Sequence, residues 1–374
     1  MKQFRALGAG IAALALILAT PTMASAGQKP KPAPGPVVKS SQVVAPFNLD
    51  IDGRDVHVAD GFAGIVGTLA ADGSITPTVN PAPGASGVDV SQNGRTLAFT
   101  TTEGETEITA SGLNLWGPRG SKVYADTLAY EQANNPDQNV AYGVENPSQC
   151  VSDALTAAGF PVSYTGLVDS HAYSVTQWGR QLVIADAGAN ALLAADSAGR
   201  VSTLAVFPAQ PTTITSDMAA ALSLPDCVVG IPYRFEAVPT DVEVGRDGML
   251  YVTTLPGGPE SPVLGARGAL WRVNPWNGSA TQIATGFLGA TNLAIGQRGE
   301  IYVAEYFAST ISVVRNGTKS HFLDLTNVVA IEAGSGGSLW AGTTISLDQA
   351  GPQVPGMIVE IVNGKWHKKA SFRH

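Results

Sequence analysis

Apolar and polar positions alternate along this chain in short bursts broken by glycine. VEVGRDGMLYV (242–252) and LAIGQRGEIYV (293–303) each give an apolar strand, a polar glycine turn and a second apolar strand carrying an aromatic. The same order recurs in LDIDGRDVHVAD, VDVSQNGRTLAF, YSVTQWGRQLVIAD and AIEAGSGGSLWAG, six copies in all. Such alternation, bent at Gly or Asn-Gly, predicts β-hairpins, because those residues supply the positive φ that tight turns need. The turn glycines Gly53, Gly94, Gly179, Gly248, Gly299 and Gly337 are spaced by 41, 85, 69, 51 and 38 residues. Two spacings fit the roughly 40–50 residues of a propeller blade, and the longer ones leave room for insertions. Downstream of the hairpins, ALWRVNPWNGSATQIATGF, ISVVRNGTKSHFLDL, LLAADSAGRVSTLAVF and MIVEIVNGKWHKKASF each hold two more strands about a turn. The expectation is an all-β, six-bladed β-propeller, four antiparallel strands per blade, with short helical insertions in blades 2 and 3. A β-sandwich would not give six copies in one register, and a right-handed β-helix needs shorter repeats.

The long spacings carry helical composition. Residues 148–160 begin at Ser148 as an N-cap, residues 215–227 begin at Thr215 or Ser216, and residues 124–134 form a third short helix stopped by Asn135-Pro136. Cys150 and Cys227, the only cysteines, fall in two of these segments. An even count in an exported chain reads as a disulfide, here tying the two insertions together; the competing reading is two buried free thiols. The closed loop would hold 76 residues, worth about 4 kcal/mol in the chain-entropy view.

Composition adds a compartment. Lys2 and Arg5, the apolar run Leu7–Thr20 and Ala24-Ser25-Ala26 make residues 1–26 read as a cleaved signal peptide, so a secreted, extracellular protein is expected. Residues 27–36, GQKPKPAPGP, read as a Pro-rich linker, and residues 37–374 as a single propeller domain. No second long apolar run follows, so no membrane span is expected. Charged residues are 14% of the chain, against a usual ~25%. The net charge of −8 without a basic stripe argues against nucleic acid and anionic membranes. A monomer is expected.

The stretches LAYEQANNPD (128–137), DSHAYSV (169–175), ADAGANALL (185–193), STLAVFPAQP (202–211), LPDCVVG (224–230), YRFEAVPTDVEVG (233–245) and LPGGPESPVLGARGALWRVNP (255–275) resemble the ScyD/ScyE family of exported proteins. The resemblance covers most of the mature chain. It implies an NHL-like six-bladed propeller outside the cytoplasm and no defined reaction.

Aligning the repeats on their glycines gives columns. The entrance to each first strand reads Pro46, Gly87, Ala172, Asp241, Asn292 and Ala330, preceded by Ala45, Ser86, His171, Thr240, Thr291 and Val329. The end of each second strand reads Asp60, Thr101, Asp186, Thr254, Glu305 and Thr343. Innermost strands surround the axial channel, so His171, Asp241, Asn292 and Glu305 are the candidate residues of its mouth, for a small molecule or a protein partner. Asp241 and Asn292 offer hard oxygens suited to Ca²⁺ or Mg²⁺, an arrangement similar to that of propeller lactonases. A metal-dependent hydrolase is therefore the alternative to a binding module. Against it, Asp and Asn at strand starts commonly satisfy turn amides, and Asp186 or Glu305 can cap a loop. Arg234, Glu236, Pro259 and Glu260 are candidates for recognition by loops, although Arg234 and Glu236 can simply pair with each other. No H-E-x-x-H, G-x-S-x-G, G-x-x-x-x-G-K or C-x-x-C motif occurs. Quinone-dependent sugar oxidation would need a cluster of His, Arg and Lys that the columns do not supply.

Overall fold

The computed structural model describes residues 35–91, 96–104, 107–259, 262–346 and 354–362. The segment expected to be a signal peptide, Gly94 and Glu260 lie outside them. The described chain is all-β with few helices and has a β-propeller fold: seven four-stranded antiparallel sheets. Sheet I joins Pro46–Asp52, Asp55–Asp60, Ile65–Leu69 and Ile75–Val79. Sheet II joins Ala85–Val90, Leu97–Glu103, Ala110–Gly117 and Gly120–Asp126. Sheet III joins Ala172–Trp178, Gln181–Asp186, Ala191–Ala195 and Val201–Val206. Sheet IV joins Pro239–Val244, Leu250–Thr254, Gly268–Val273 and Ala280–Phe287. Sheet V joins Ala290–Ile295, Ile301–Glu305, Thr310–Arg315 and Thr318–Asp324. Sheet VI joins Val328–Ala333, Leu339–Thr343 and Gly356–Val362, and takes its fourth strand, Gly35–Val43, from the other end of the described chain. That strand includes Gly35 and Pro36, so the end of the Pro-rich stretch is itself paired in a sheet.

Each of these sheets shares a buried core with the next. Val66 and Phe99 join I to II, Leu113 and Ile184 join II to III, and Leu192 and Trp271 join III to IV. Leu270 and Leu293 join IV to V, Tyr302 and Ile361 join V to VI, and Ile358 and Leu49 return from VI to I. First strands pack in the same cycle. Middle strands such as Ala191–Ala195 are buried along their whole length, because both faces of a sheet in such a cycle meet a neighbour. Their sequences are therefore continuous apolar runs.

The seventh sheet was not expected. It is built from the two insertions: Ala141–Gly143 and Ser163–Thr165 from residues 127–171, and Gln210–Thr213 and Pro232–Phe235 from residues 207–238. Three helices accompany it: α1 (Thr127–Asn134), α2 (Gln149–Ala157) and α3 (Ser216–Ala221). α1 begins later than the sequence reading placed it, because Tyr124–Asp126 completes the outer strand of sheet II and Asp126 then caps the helix at Ala129 N–H. Ser148 and Thr215 cap α2 and α3 as expected. Cys150 and Cys227 form a disulfide between the insertions. Val151, Leu155, Leu224, Val228, Tyr233 and Phe235 make a separate apolar core there.

The ends of the sheets differ. Turns between first and second strands, and between third and fourth, are at most six residues long wherever both strands are described. The opposite end carries both insertions, residues 255–259 and 262–267, and residues 344–346 and 354–355.

Candidate functional site

Strand pairing corrects the columns. Asp52 faces Asp55 and Trp178 faces Gln181, leaving two-residue turns in sheets I and III. Val244–Leu250, Ile295–Ile301 and Ala333–Leu339 enclose five residues. Alignment on the turn glycine therefore set sheets I and III two residues out. The column of second-strand ends is unaffected: Asp60, Thr101, Asp186, Thr254, Glu305 and Thr343 face Pro46, Ala85, Ala172, Pro239, Ala290 and Val328. In the corrected register Asp241 and Asn292 share their level with Asn48, Gly87, Ser174 and Ala330.

That level is a hydrogen-bonded plug. Buried Asp241 accepts from the Ser174 hydroxyl at 2.5 Å and from Leu293 N–H at 2.8 Å, and the Asn48 amide lies 3.5 Å away. Asn48 Oδ1 accepts from Val88 N–H at 3.3 Å and Asn292 Oδ1 from Ile331 N–H at 2.7 Å. Each of these oxygens thus bridges from one sheet to the next. Sheets I and IV stand three steps apart in the cycle, so the Asn48–Asp241 contact reaches across its middle. Burial raises Asp241 to about 6, and hydrogen bonds from the Ser174 hydroxyl and from the Leu293 and Val242 N–H groups restrain the rise.

Two residues further along the first strands, the level reads Asp50, Asp89, Thr176, Glu243, Ala294 and Glu332. Four carboxyl groups therefore share one level. Burial, with Asp52 adding repulsion, pushes Asp50 up to about 6; burial and then Asp50 push Asp89 to about 7; burial and then repulsion from the other acids of this level and Asp241 push both glutamates well above the ordinary range. Asp50 accepts from Val90 N–H at 3.0 Å and Glu332 from Ala333 N–H at 2.7 Å. The four side chains are only half-buried by solvent contact, yet protein encloses them closely enough to disfavour charge. Among the described residues, no group of three or more His, Cys, Asp or Glu side chains is arranged to hold a metal ion. Asp241 and Asn292 spend side-chain oxygens on inter-sheet hydrogen bonds.

On the insertion-bearing side of the plug the lining becomes aromatic. Phe47 of sheet I and Tyr173 of sheet III stand 6.1 Å apart, ring centre to ring centre, although sheet II separates their strands. Phe62 packs edge-on against Phe47 at 5.4 Å, and His171 lies 5.8 Å from Tyr173. Phe62, Leu167 and Val168 are exposed. The intervening strand is small there and close to sheet III: the Ser86 hydroxyl donates to the Ala172 carbonyl at 3.1 Å, and a Cβ on Gly87 would stand 2.8 Å from the Ser174 backbone.

The other sequence candidates hold the framework. Asp60, Asp186 and Glu305, at equivalent strand ends, accept backbone N–H groups from the segment entering the same sheet: Val44 and Ala45, His171, and Leu288. Glu305 also takes the Ser312 hydroxyl and an ion pair from Lys319 at 2.9 Å. Arg234 and Glu236 do not pair with each other. Arg234 binds Glu145 at 2.9 Å, while Glu236 takes the Tyr164 hydroxyl. Pro259 lines a cavity beside the 255–267 loop.

Beneath the insertions sit two carboxylates the sequence did not single out. Burial, then Asp186, raises Glu131 to about 8, and burial raises Asp137, which takes the Tyr142 hydroxyl and the Asn190 amide. Neither lies in a repeat column, so no register argument reaches them. The Asp50–Asp89–Glu243–Glu332 level was findable, provided the hairpin lengths had been assigned.

No protein-family model and no curated protein sequence matches the chain. Solved structures match in fold. One is a candidate gluconolactonase, 11% identical, covering 88% of this chain and 91% of its own with a TM-score of 0.51. A glucose dehydrogenase is 11% identical over 88% of this chain and 100% of its own, TM-score 0.50. A Bacteroides thetaiotaomicron protein of unknown function is 9% identical over 87% and 72%, TM-score 0.51. At such identities the likeness concerns the fold alone.

Proposed function

We propose that the chain is an exported, ScyD/ScyE-like propeller of six blades, sheets I to VI, acting as a ligand-binding module. The closed cycle of shared cores supports the blade count, and the disulfide fits an oxidising compartment. The ligand seat is the axial mouth lined by Phe47, Phe62, Tyr173 and His171, and the ligand is a small organic cation with an apolar body. One observation carries this reading: aromatic rings from non-adjacent sheets converge at the end of the axis that bears every large insertion. Aromatic faces attract cations, and two acids adjoin the segments that carry these side chains: Asp60 accepts from Ala63 N–H and Asp186 from His171 N–H.

Calorimetric titration with benzyltrimethylammonium tests it. Saturable binding should weaken at least tenfold in both Phe47→Ala and Tyr173→Ala, with no change on adding calcium or EDTA. Equal binding by the variants sinks the proposal. The lactonase alternative gains support only if an aromatic lactone is hydrolysed with a requirement for calcium and for Asp241.

A further inference from the structure

The cavity that Pro259 lines lies between residues of sheets IV and V at the same end. It measures about 140 Å³ and is lined by Pro256, Gly257, Gly258, Arg267, Phe287 and Phe307 among others. Among the described residues, Arg267 is the only charged side chain in its wall. The guanidinium stacks on Phe235, 4.4 Å from the ring centre, and donates to the carbonyls of Pro256 and Gly257 at 3.1–3.2 Å. It is therefore fixed in place.

Its charge is not neutralised by any described acid. Lys39, Arg200, Arg234, Arg272 and Lys319 each have a carboxylate partner, whereas Arg267 forms no ion pair among the described residues. Glu236, whose carboxylate packs beside Gly257, takes the Tyr164 hydroxyl instead. Nε of Arg267 is buried without an acceptor. Burial alone lowers the group toward about 10, still charged at neutral pH. A half-buried guanidinium without a counter-charge is costly, and structure is organised here to keep it.

We propose that this cavity is a binding site for a small monocarboxylate with a flat apolar body, its carboxylate set against Arg267 and its body among Pro256, Phe287 and Phe307. One fixed positive charge matches one negative charge, and the other described residues of the wall offer nothing polar from a side chain. A cavity of about this size accommodates a benzene ring. Guanidinium suits carboxylate because planar donors meet planar acceptors.

The probe is benzoate, compared with the neutral isostere benzamide, on the whole protein. Binding is read by calorimetry and by the Nε–H resonance of Arg267 in ¹H–¹⁵N spectra. Benzoate should bind at least tenfold more tightly than benzamide, shift the Arg267 Nε–H signal, and lose at least tenfold in Arg267→Gln. Because Arg267 also holds the 256–257 carbonyls, the two wild-type readouts stand alone if that variant does not fold. Benzamide binding as well as benzoate, an unmoved Nε–H signal at saturation, or a folded Arg267→Gln that binds unchanged would each overturn the proposal. The axial site is tested by a cation, so either proposal can fail without the other.

Discussion

Replacing Asp89 by asparagine removes one of four carboxyl groups at a single level of the axis while nearly keeping its shape. Asp89 is raised from an ordinary 3.8 to about 7. A raised carboxyl pKa means that the folded state holds its proton more tightly than the unfolded state. Its contribution is therefore complete below the unfolded pKa, near 4, and is lost as pH rises through about 7. Three units at ~1.36 kcal/mol each give a ceiling of about 4 kcal/mol; contact with channel water brings the expectation to about 2–4 kcal/mol. Asparagine cannot ionise, so Asp89→Asn escapes this loss. With about 2.1 cal/mol/K of unfolding entropy per residue, the variant should melt roughly 3–6 °C above wild type at pH 8, relative to their offset at pH 4. Calorimetric or fluorescence melts across pH 4–8 measure the difference directly. A difference that stays constant with pH, or that grows toward acid, would refute the idea that Asp89 is forced toward its neutral form by enclosure and by Asp50.

Asp241→Ala should cost about 3 kcal/mol in chemical denaturation, since it strands the Ser174 hydroxyl and Leu293 N–H in a buried plug; a melt unmoved by the substitution contradicts the bridging role. Cys150→Ser with Cys227→Ser should lose up to about 4 kcal/mol, and proteolysis should cut the 127–171 and 207–238 insertions before the sheets. Lys319→Met leaves Glu305, 1% exposed, without its cation, and should destabilise by about 3–5 kcal/mol, read from the urea midpoint. Gly87→Ala, whose methyl would press on Ser174 and Thr100 at 2.8 Å, should cost about 1–3 kcal/mol and broaden the Tyr173 resonances.

The repeat of hairpins was legible because each copy sets two short apolar strands about a turn that needs Gly or Asn-Gly, and the inner strands are buried where neighbouring sheets meet. Cap chemistry marked the starts of α2 and α3, and the cysteine pair marked the junction of the insertions. The accessory sheet escaped notice for a physical reason. Its strands are three or four residues long, too short for a period of two to be recognised, and Pro211 and Pro232 sit within or at the start of two of them. Site register failed differently. A glycine serves a two-residue turn in LDIDGRDVHV and a five-residue turn in VEVGRDGMLYV, and local composition does not distinguish the two roles. That two-residue slip hid Asn48 and Ser174 behind Pro46 and Ala172, and with them the acidic level.

The plug gives these assignments a common logic. Asn48, Ser174, Asp241 and Asn292 spend polar groups on other sheets, so the middle of the cycle is held by hydrogen bonds. A ligand at the aromatic mouth then meets a rigid floor and is separated from the carboxyl groups beyond it. Asp50, Asp89, Glu243 and Glu332 consequently govern stability through protonation, whereas the proposed recognition rests on Phe47, Phe62 and Tyr173. It follows that Asp89→Asn should change the pH dependence of melting without changing the affinity for benzyltrimethylammonium, and Tyr173→Ala should do the reverse. If Asp89→Asn weakens cation binding tenfold, the floor is open, and the mouth and the acidic level form one site.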